Sequence, residues 1–398
     1  MSSGPLNGVV VIDVSNFVFG PVATQILGDM GANVIKVEPP EGDPTRGIGA
    51  NRDKEMGSFY LNLNRNKRSV VLDLKSPEGA NSFKQLLARA DVFVHNMRSS
   101  ALTRLGLSFE MLHGNFPRLI HASAQGFGFG GDYFDLPAYD DVIQGLSGIV
   151  GINAAAFGQP QYCPMLLSDK LCGIYLAHAI TAGLLHRERT GRAQKVEVPM
   201  FETMVSFNLL DHLADNVLEP AQGSDDSWNG YARVLNPNHR PLATLDGYIS
   251  IIANTDSQWK RLFDLIGLPE LAQDSRFMTI GDRMKHITVL YETVEERLGA
   301  RTTAEWLAAL KAADVPSGPI NSLEGVRTDP HLSQKGFFRK FEHDSGSCLV
   351  MPDIPATFSD SPGSIRLGPP RLGEHNAEVF REFGVMGYAE GTEDSCEQ

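Results

Sequence analysis

Apolar runs alternate with amphipathic stretches along the first half of the chain. GVVVIDV (8–14) is a continuous β-branched run, the pattern of a strand buried on both faces. A loop at Ser15 to Gly20 follows, then a helical stretch that Pro21 suits as a first-turn residue and that Gly31 ends, then ANVIKVE (32–38) as a second strand. The spacing predicts a β-α-β unit. RSVVLDL (68–74), DVFVHNM (91–97) and LIHASAQ (119–125) extend the strand series, with PEGANSFKQLLARA (77–90) as a helix between the first two. A long helical pattern from Lys170 to about Arg189 stops at Gly191, the strand QKVEV comes next, and Phe201 to Val217 is helical again. Short apolar strands separated by amphipathic helices predict an α/β fold with a doubly wound, mostly parallel sheet.

The texture then changes. EPAQGSDDSWNG (219–230) loses periodicity and gains Gly, Pro and Asp, as linkers do. Strand-like LATLDGYISIIA (242–253) and helical patterns near 256–266, 283–299 and 303–313 predict a small α+β domain. The expected organisation is a large α/β domain over 1–200, a linker over 201–230, the small domain over 231–325, and a Pro- and Gly-rich return segment over 326–398. That segment holds a helix near 374–383, and a frayed acidic end is expected over Glu390 to Gln398.

Charge narrows the partners. The 398 residues carry 35 Lys and Arg against 48 Asp and Glu, a net charge of −13, and no basic block is set apart to bind nucleic acid or an anionic membrane. No window has the length of uninterrupted apolar residues that a membrane span needs, and Cys163, Cys172, Cys348 and Cys396 have neither a metal-ligand nor a disulfide-scaffold spacing. A reduced, cytoplasmic protein without bound metal is expected.

Gly126, Gly128 and Gly131 satisfy the G-x-G-x-x-G pattern of dinucleotide sites after a predicted strand. DYFDLP stands where that motif needs a helix N-terminus for the pyrophosphate, so a simple turn is the better account. No G-x-S-x-G supplies an acyl-transfer serine. Asp169, in MLLSDKLCGIYLAHAI, precedes a helix; Asp there reads as an N-cap, and a carboxylate at a helix N-terminus is kept ionised, as attack on a thioester requires.

Taken together, LNGVVVIDVSNFVFGPVATQILGDMGANVIKVEPPEGDPTR, NRNKRSVVLDLKSPEG, VFVHNMRSSALTRLGL, PAYDDVIQGLSG, SDKLCGIYLAHAI, RERTGRAQKVEVPMFE, TLDGYISI and LGEHNAEV, in that order, resemble the family III CoA-transferases. That group includes formyl-CoA transferase and carnitine CoA-transferase. The resemblance implies a large CoA-binding domain built from the N- and C-terminal parts, a small inserted domain and an interlocked homodimer. It implies coenzyme A as the acyl-CoA substrate, a carboxylic acid as the second substrate, and no tightly bound cofactor. Asp169 matches the catalytic aspartate. Val18, Leu72, Asn96, Met97, Arg104, Ala138, Tyr139 and Met200 match CoA-binding positions. Arg104 has a separate rationale, since a guanidinium holds a phosphate through two hydrogen bonds. Val18 replaces a Gln of formyl-CoA transferase, and WNGYARVLNPNHRP replaces its glycine-rich lid. Both departures argue against formate or oxalate, and a small dicarboxylate is the expected acid. In that replaced region Arg233, His239 and Arg240 are candidates for an acceptor carboxylate.

Two alternative activities remain at this level, along with a catalytically silent CoA-binding protein. An acyl-CoA racemase or epimerase of the same fold needs an acid and a base, and family racemases carry G-H-D where this chain has Ala138-Tyr139-Asp140; a phenol is a poor base near neutral pH. An NAD(P)-dependent oxidoreductase rests on the glycine pattern alone.

Overall fold

The computed structural model describes residues 4–50, 55–218, 230–343 and 348–385. Of the linker expected over 201–230, residues 201–212 lie in the helix Met200–His212, while residues 219–229 and the acidic C-terminal end lie outside the described residues. The chain divides into two units. The first draws on Met1–Gly148, Tyr162–Phe207 and Gly336–Gln398, the second on Ile149–Gln161 and Asn208–Lys335.

The first unit is built on a six-stranded sheet. Its strands are β1 (Val10–Asp13), β2 (Asn33–Glu38), β3 (Lys67–Val71), β4 (Val92–His95), β5 (Ile120–Gln125) and β6 (Lys195–Pro199). They lie in the order β3-β2-β1-β4-β5-β6, and every pairing is parallel. Parallel neighbours need crossover helices, and those helices cover the sheet faces, so the central strands carry continuous apolar runs such as Val10 to Ile12 and Val92 to Val94. One face packs Ile12, Ile35, Val70 and Phe93 against Phe83, Leu86, Leu102 and Leu112. The helices Phe19–Asp29 and Leu167–Thr190 cross closely. A Cβ on Gly173 would stand 2.8 Å from Val22 and 2.9 Å from the Phe19 carbonyl oxygen, so only glycine allows the approach.

The C-terminal segment returns to the β3 edge. Asn376 Oδ1 accepts from the Val71 amide at 2.9 Å, His375 N donates to the Ser69 carbonyl at 3.0 Å, and Arg68 pairs with Glu378 and Glu382. A hairpin of β10 (Phe338–Glu342) and β11 (Cys348–Pro352) precedes that return.

The second unit has its own core, centred on Trp259, Phe263, Leu290, Val294, Leu298, Trp306 and Leu310. The stretch 242–253, expected as one strand, is an antiparallel hairpin of β7 (Leu242–Ala243) and β8 (Tyr248–Ile251), joined by β9 (Ser317–Pro319). Asp246-Gly247 is the cause: the Gly247 amide donates to Thr244 Oγ1 at 3.1 Å and the Thr244 amide to the Gly247 carbonyl at 2.9 Å, closing a turn. Thr255 with Gln258 and Thr302 with Glu305 form capping boxes that start the helices Asp256–Leu265 and Thr303–Ala312.

Candidate active site

The strand order reverses between β1 and β4, and open parallel sheets bind ligands beyond the carboxyl ends of the strands at such a switch point. The loops that follow these two strands are clamped together. Asn96 Nδ2 donates to the Asn16 carbonyl at 2.9 Å, and Asn96 Oδ1 accepts from the Asn16 amide at 3.2 Å. The next residue, Phe17, has φ of 66°, a left-handed conformation that costs a bulky side chain about 1–3 kcal/mol and persists only where the surroundings impose it. Its ring meets Tyr139 edge to face with centroids 6.1 Å apart. Gly126 lets the Ala138 segment come close, since an added Cβ would sit 2.3 Å from Ala138 Cβ.

A cavity of about 580 Å³ opens at this place, lined among others by Phe17, Val18, Asn96, Met97, Arg98, Ala138, Tyr139, Asp140, Asp169 and Met200. That is the size range of small-molecule sites. The structure therefore gathers Val18, Asn96, Met97, Ala138, Tyr139, Asp169 and Met200 around one space. It does not bring in Leu72, which is 1% exposed in the core, or Arg104, which is exposed on the helix Ser99–Leu105. Arg98 lines the cavity instead.

Asp169 is half-buried in the first turn of the helix Leu167–Thr190. The N-cap reading is corrected: Leu166 holds the cap position, and its side chain has no acceptor for the free amides. Asp140 supplies one from outside. Its Oδ1 accepts from the Asp169 amide at 3.0 Å and its Oδ2 from Gln144 Nε2 at 2.6 Å. Gln144 is itself fixed, its Oε1 accepting from the Cys163 amide at 2.8 Å and its Nε2 donating to the Met165 carbonyl at 3.2 Å. Burial, and after it the charge of Asp140, push the Asp169 carboxyl up to about 7. The expectation that the helix terminus holds this carboxylate firmly ionised is thus corrected, because desolvation and a like charge outweigh the dipole. Near neutral pH the group is roughly half carboxylate, and a carboxylate of raised basicity is the better nucleophile. Asp140 and Gln144 escaped the sequence reading as site residues. The sequence presents Asp140 only within Ala138-Tyr139-Asp140, and nothing in the spacing links it to Asp169.

The remaining candidates stand elsewhere. Arg233, His239 and Arg240 line a separate cavity of about 450 Å³ within the second unit, beside Tyr291, Trp259 and Ser317. Arg240 pairs with Glu295 at 3.1 Å, so its charge is already answered. Arg233 Nε donates to the Tyr291 hydroxyl at 3.3 Å and has no carboxylate partner among the described residues. Burial, then the Arg233 charge, hold His239 below the ordinary histidine range. The glycine turn 126–131 follows β5, and no helix begins before Asp140. Its amides are already taken by acids: Gly128 N donates to Glu202 Oε1 at 2.8 Å and Phe129 N to Glu197 Oε1 at 3.0 Å. Two carboxylates at those amides would repel a pyrophosphate. Among the described residues no helix is long and apolar enough to cross a membrane.

Comparison with known proteins places the whole chain. The model of CoA-transferase family III matches residues 6–376. A succinate–glutarate CoA-transferase of Agrobacterium fabrum is 34% identical over 392 residues, which cover 96% of each chain. The human succinyl-CoA:glutarate CoA-transferase is 32% identical over 95% of this chain and 86% of its own. A crystal structure of a CAIB/BAIF family protein from Brucella suis superposes with a TM-score of 0.79 at 33% identity, covering 96% of this chain and 100% of that one. With a match that runs through β1 to β6 and the Asp169 helix alike, the chain belongs to CoA-transferase family III and is a CoA-transferase.

Proposed function

We propose that the protein moves CoA between two small dicarboxylic acids through covalent intermediates on Asp169. The observation that carries this reading is a half-buried aspartate of raised pKa, in the first turn of a helix, lining the switch-point cavity with no cation paired to it among the described residues. An Asp169 oxygen attacks the carbonyl carbon of the donor thioester, the C–S bond breaks, and a mixed anhydride forms as CoA thiolate leaves. The thiolate then attacks the Asp169 carbonyl carbon, giving an aspartyl-CoA thioester and releasing the donor acid as carboxylate. The acceptor carboxylate repeats both steps in reverse, and no net proton is consumed. A fixed aspartate divides a slow exchange into two easier ones.

Val18, Asn96, Met97, Ala138, Tyr139 and Met200 are assigned to the acyl-CoA, with Arg104 as an outer contact. Asn96 contributes chiefly by clamping the loop that carries Phe17, since its amide is engaged with Asn16. Arg233, His239 and Arg240 are assigned to carboxylate recognition in the second unit's cavity, with Arg233 foremost because its charge is unanswered. The succinate and glutarate in the relatives' names support the choice of dicarboxylates. A homodimer is part of the same proposal. The helix Leu167–Thr190 leaves Ile174, Tyr175 and Leu185 59%, 54% and 51% exposed, an apolar face suited to a second copy of the chain.

The test is to incubate the protein with succinyl-CoA and an equimolar mixture of C2 to C6 mono- and dicarboxylic acids, reading new thioesters by mass spectrometry. Glutaryl-CoA or a close homologue should dominate. Monocarboxylyl-CoA products alone would refute the substrate class, and α-deuterium incorporation in D₂O outpacing transfer would return the racemase reading.

A further inference from the structure

We infer that Asp140 is a positioning residue that both aims Asp169 and sets the pH range in which it acts. The inference rests on Asp169 being the nucleophile. Three observations carry it. The helix Leu167–Thr190 lacks a capping side chain of its own, because Leu166 occupies the cap position. The Asp169 amide, an orphan donor of that first turn, is bonded instead by Asp140 Oδ1 at 3.0 Å from a different helix, Asp140–Leu146. Asp140 is only 4% exposed and accepts from Gln144 Nε2 at 2.6 Å, so both its oxygens serve as acceptors. The bond fixes the backbone from which the Asp169 side chain springs. The charge then raises the cost of ionising Asp169, a like-charge effect that adds to burial.

Other titratable groups face Asp169 from the surrounding elements. Asp135, Tyr139 and Asp141 line the cavity beside Asp140, and Arg98 lines it from the segment after β4. All four are exposed and screened by solvent. Cys172, one turn along the helix, is pushed up to about 12 by burial first and then by Asp169 and Asp140, so it stays a neutral thiol. The Met200 side of the lining contributes no titratable group. Asp140 is therefore the charge that matters.

The replacements Asp140→Asn and Asp140→Ala separate the two roles. Asparagine keeps an acceptor for the Asp169 amide and removes the charge; alanine removes both. For Asp140→Asn the acid limb of kcat/KM should move from near 7 toward the ordinary carboxylate range, by about one pH unit or more. For Asp140→Ala, kcat should fall about ten- to a hundredfold with KM for acyl-CoA unchanged. A residue that only held the fold would lower thermal stability and leave the pH midpoint in place, and that outcome would overturn the inference.

A readout independent of chemistry comes from stability. A carboxyl whose folded pKa of about 7 lies above its ordinary 3.8 holds its proton more tightly when folded. It therefore costs the folded state stability as pH rises through that window, and Asp169→Asn should restore stability above pH 7 but not below 4. In an Asp140→Asn background the midpoint of this difference should drop. If the midpoint drops while Asp169→Asn leaves turnover intact, the nucleophile assignment fails and the coupling stands; an unmoved midpoint refutes the coupling. Should Asp140→Asn not fold, Gln144→Leu loosens Asp140 from the other side, and an unchanged kcat in that variant would also overturn the proposal.

Discussion

Two groups of buried charge in the first unit are built on opposite rules. Around β1 to β3, the carboxylates Asp13, Glu38 and Asp43 are matched by the cations Lys36, Arg46 and Lys67. Lys36 Nζ lies 2.9 Å from Asp43 Oδ2, Arg46 grips Glu38 with both Nε and a terminal nitrogen at 2.8 and 2.7 Å, and Lys67 Nζ lies 3.2 Å from Asp13 Oδ2. Burial alone would raise all three carboxyls, yet the cations and hydrogen bonds hold each below its ordinary value. Asp140 and Asp169, at the neighbouring cavity, have no cation paired to them among the described residues. In one place burial is offset by opposite charge; in the other it is left standing, and a more basic carboxylate is the consequence. The paired cluster also serves the unpaired one. Lys36 donates to the Ser15 carbonyl at 2.9 Å and Asp13 accepts from the Ser15 amide at 2.9 Å, anchoring the loop that presents Phe17 and Val18 to the cavity.

The largest effect is expected from breaking the paired cluster. Lys36→Met leaves Asp43 and Asp13 buried with too little opposite charge and should cost about 3–5 kcal/mol in urea unfolding. A loss under about 1 kcal/mol would show that the two clusters do not differ in the way described.

Arg104 sharpens the comparison from outside, as an exposed cation with no carboxylate partner among the described residues. If a CoA phosphate is that partner, Arg104→Ala should cost about 1.5–3 kcal/mol of binding, a ten- to hundredfold rise in KM for acyl-CoA with kcat nearly constant. An unchanged KM would remove Arg104 from the CoA site and leave Arg98, which lines the cavity, as the cation to test.

The smallest effect belongs to the exposed pair of Arg240 and Glu295, with side chains 56% and 23% exposed. Glu295→Gln should change stability by less than about 1 kcal/mol, as solvent-screened pairs do. A loss above about 2 kcal/mol would mean that exposure does not separate the structural charges from the functional ones.

How far the sequence carried follows the same physics. The parallel strands were legible because burial on both faces writes continuous apolar runs, as in GVVVIDV and NVIKVE, and Gly191 marked the helix end through its left-handed φ of 73°. Asp169 was legible through resemblance. Its raised pKa was not, because that depends on Asp140, 29 residues earlier, and on burial that only the packed sheet creates. The paired cluster was hidden for the same reason: Lys36 and Lys67 sit inside strands β2 and β3, where local pattern reads a lysine as a solvated position. Leu72 shows the converse, a residue matched by resemblance whose side chain lies in the core.

Trapping the intermediate distinguishes a nucleophilic Asp169 from a bystander. The protein is incubated with succinyl-CoA at pH 7.5, treated with neutral hydroxylamine, digested and mapped by mass spectrometry. The account predicts conversion of the Asp169 carboxyl to a hydroxamate only when acyl-CoA is present. Asp169→Ala should lose both label and turnover while still binding acyl-CoA. A hydroxamate on another residue, or transfer by Asp169→Ala near the wild-type rate, would contradict it.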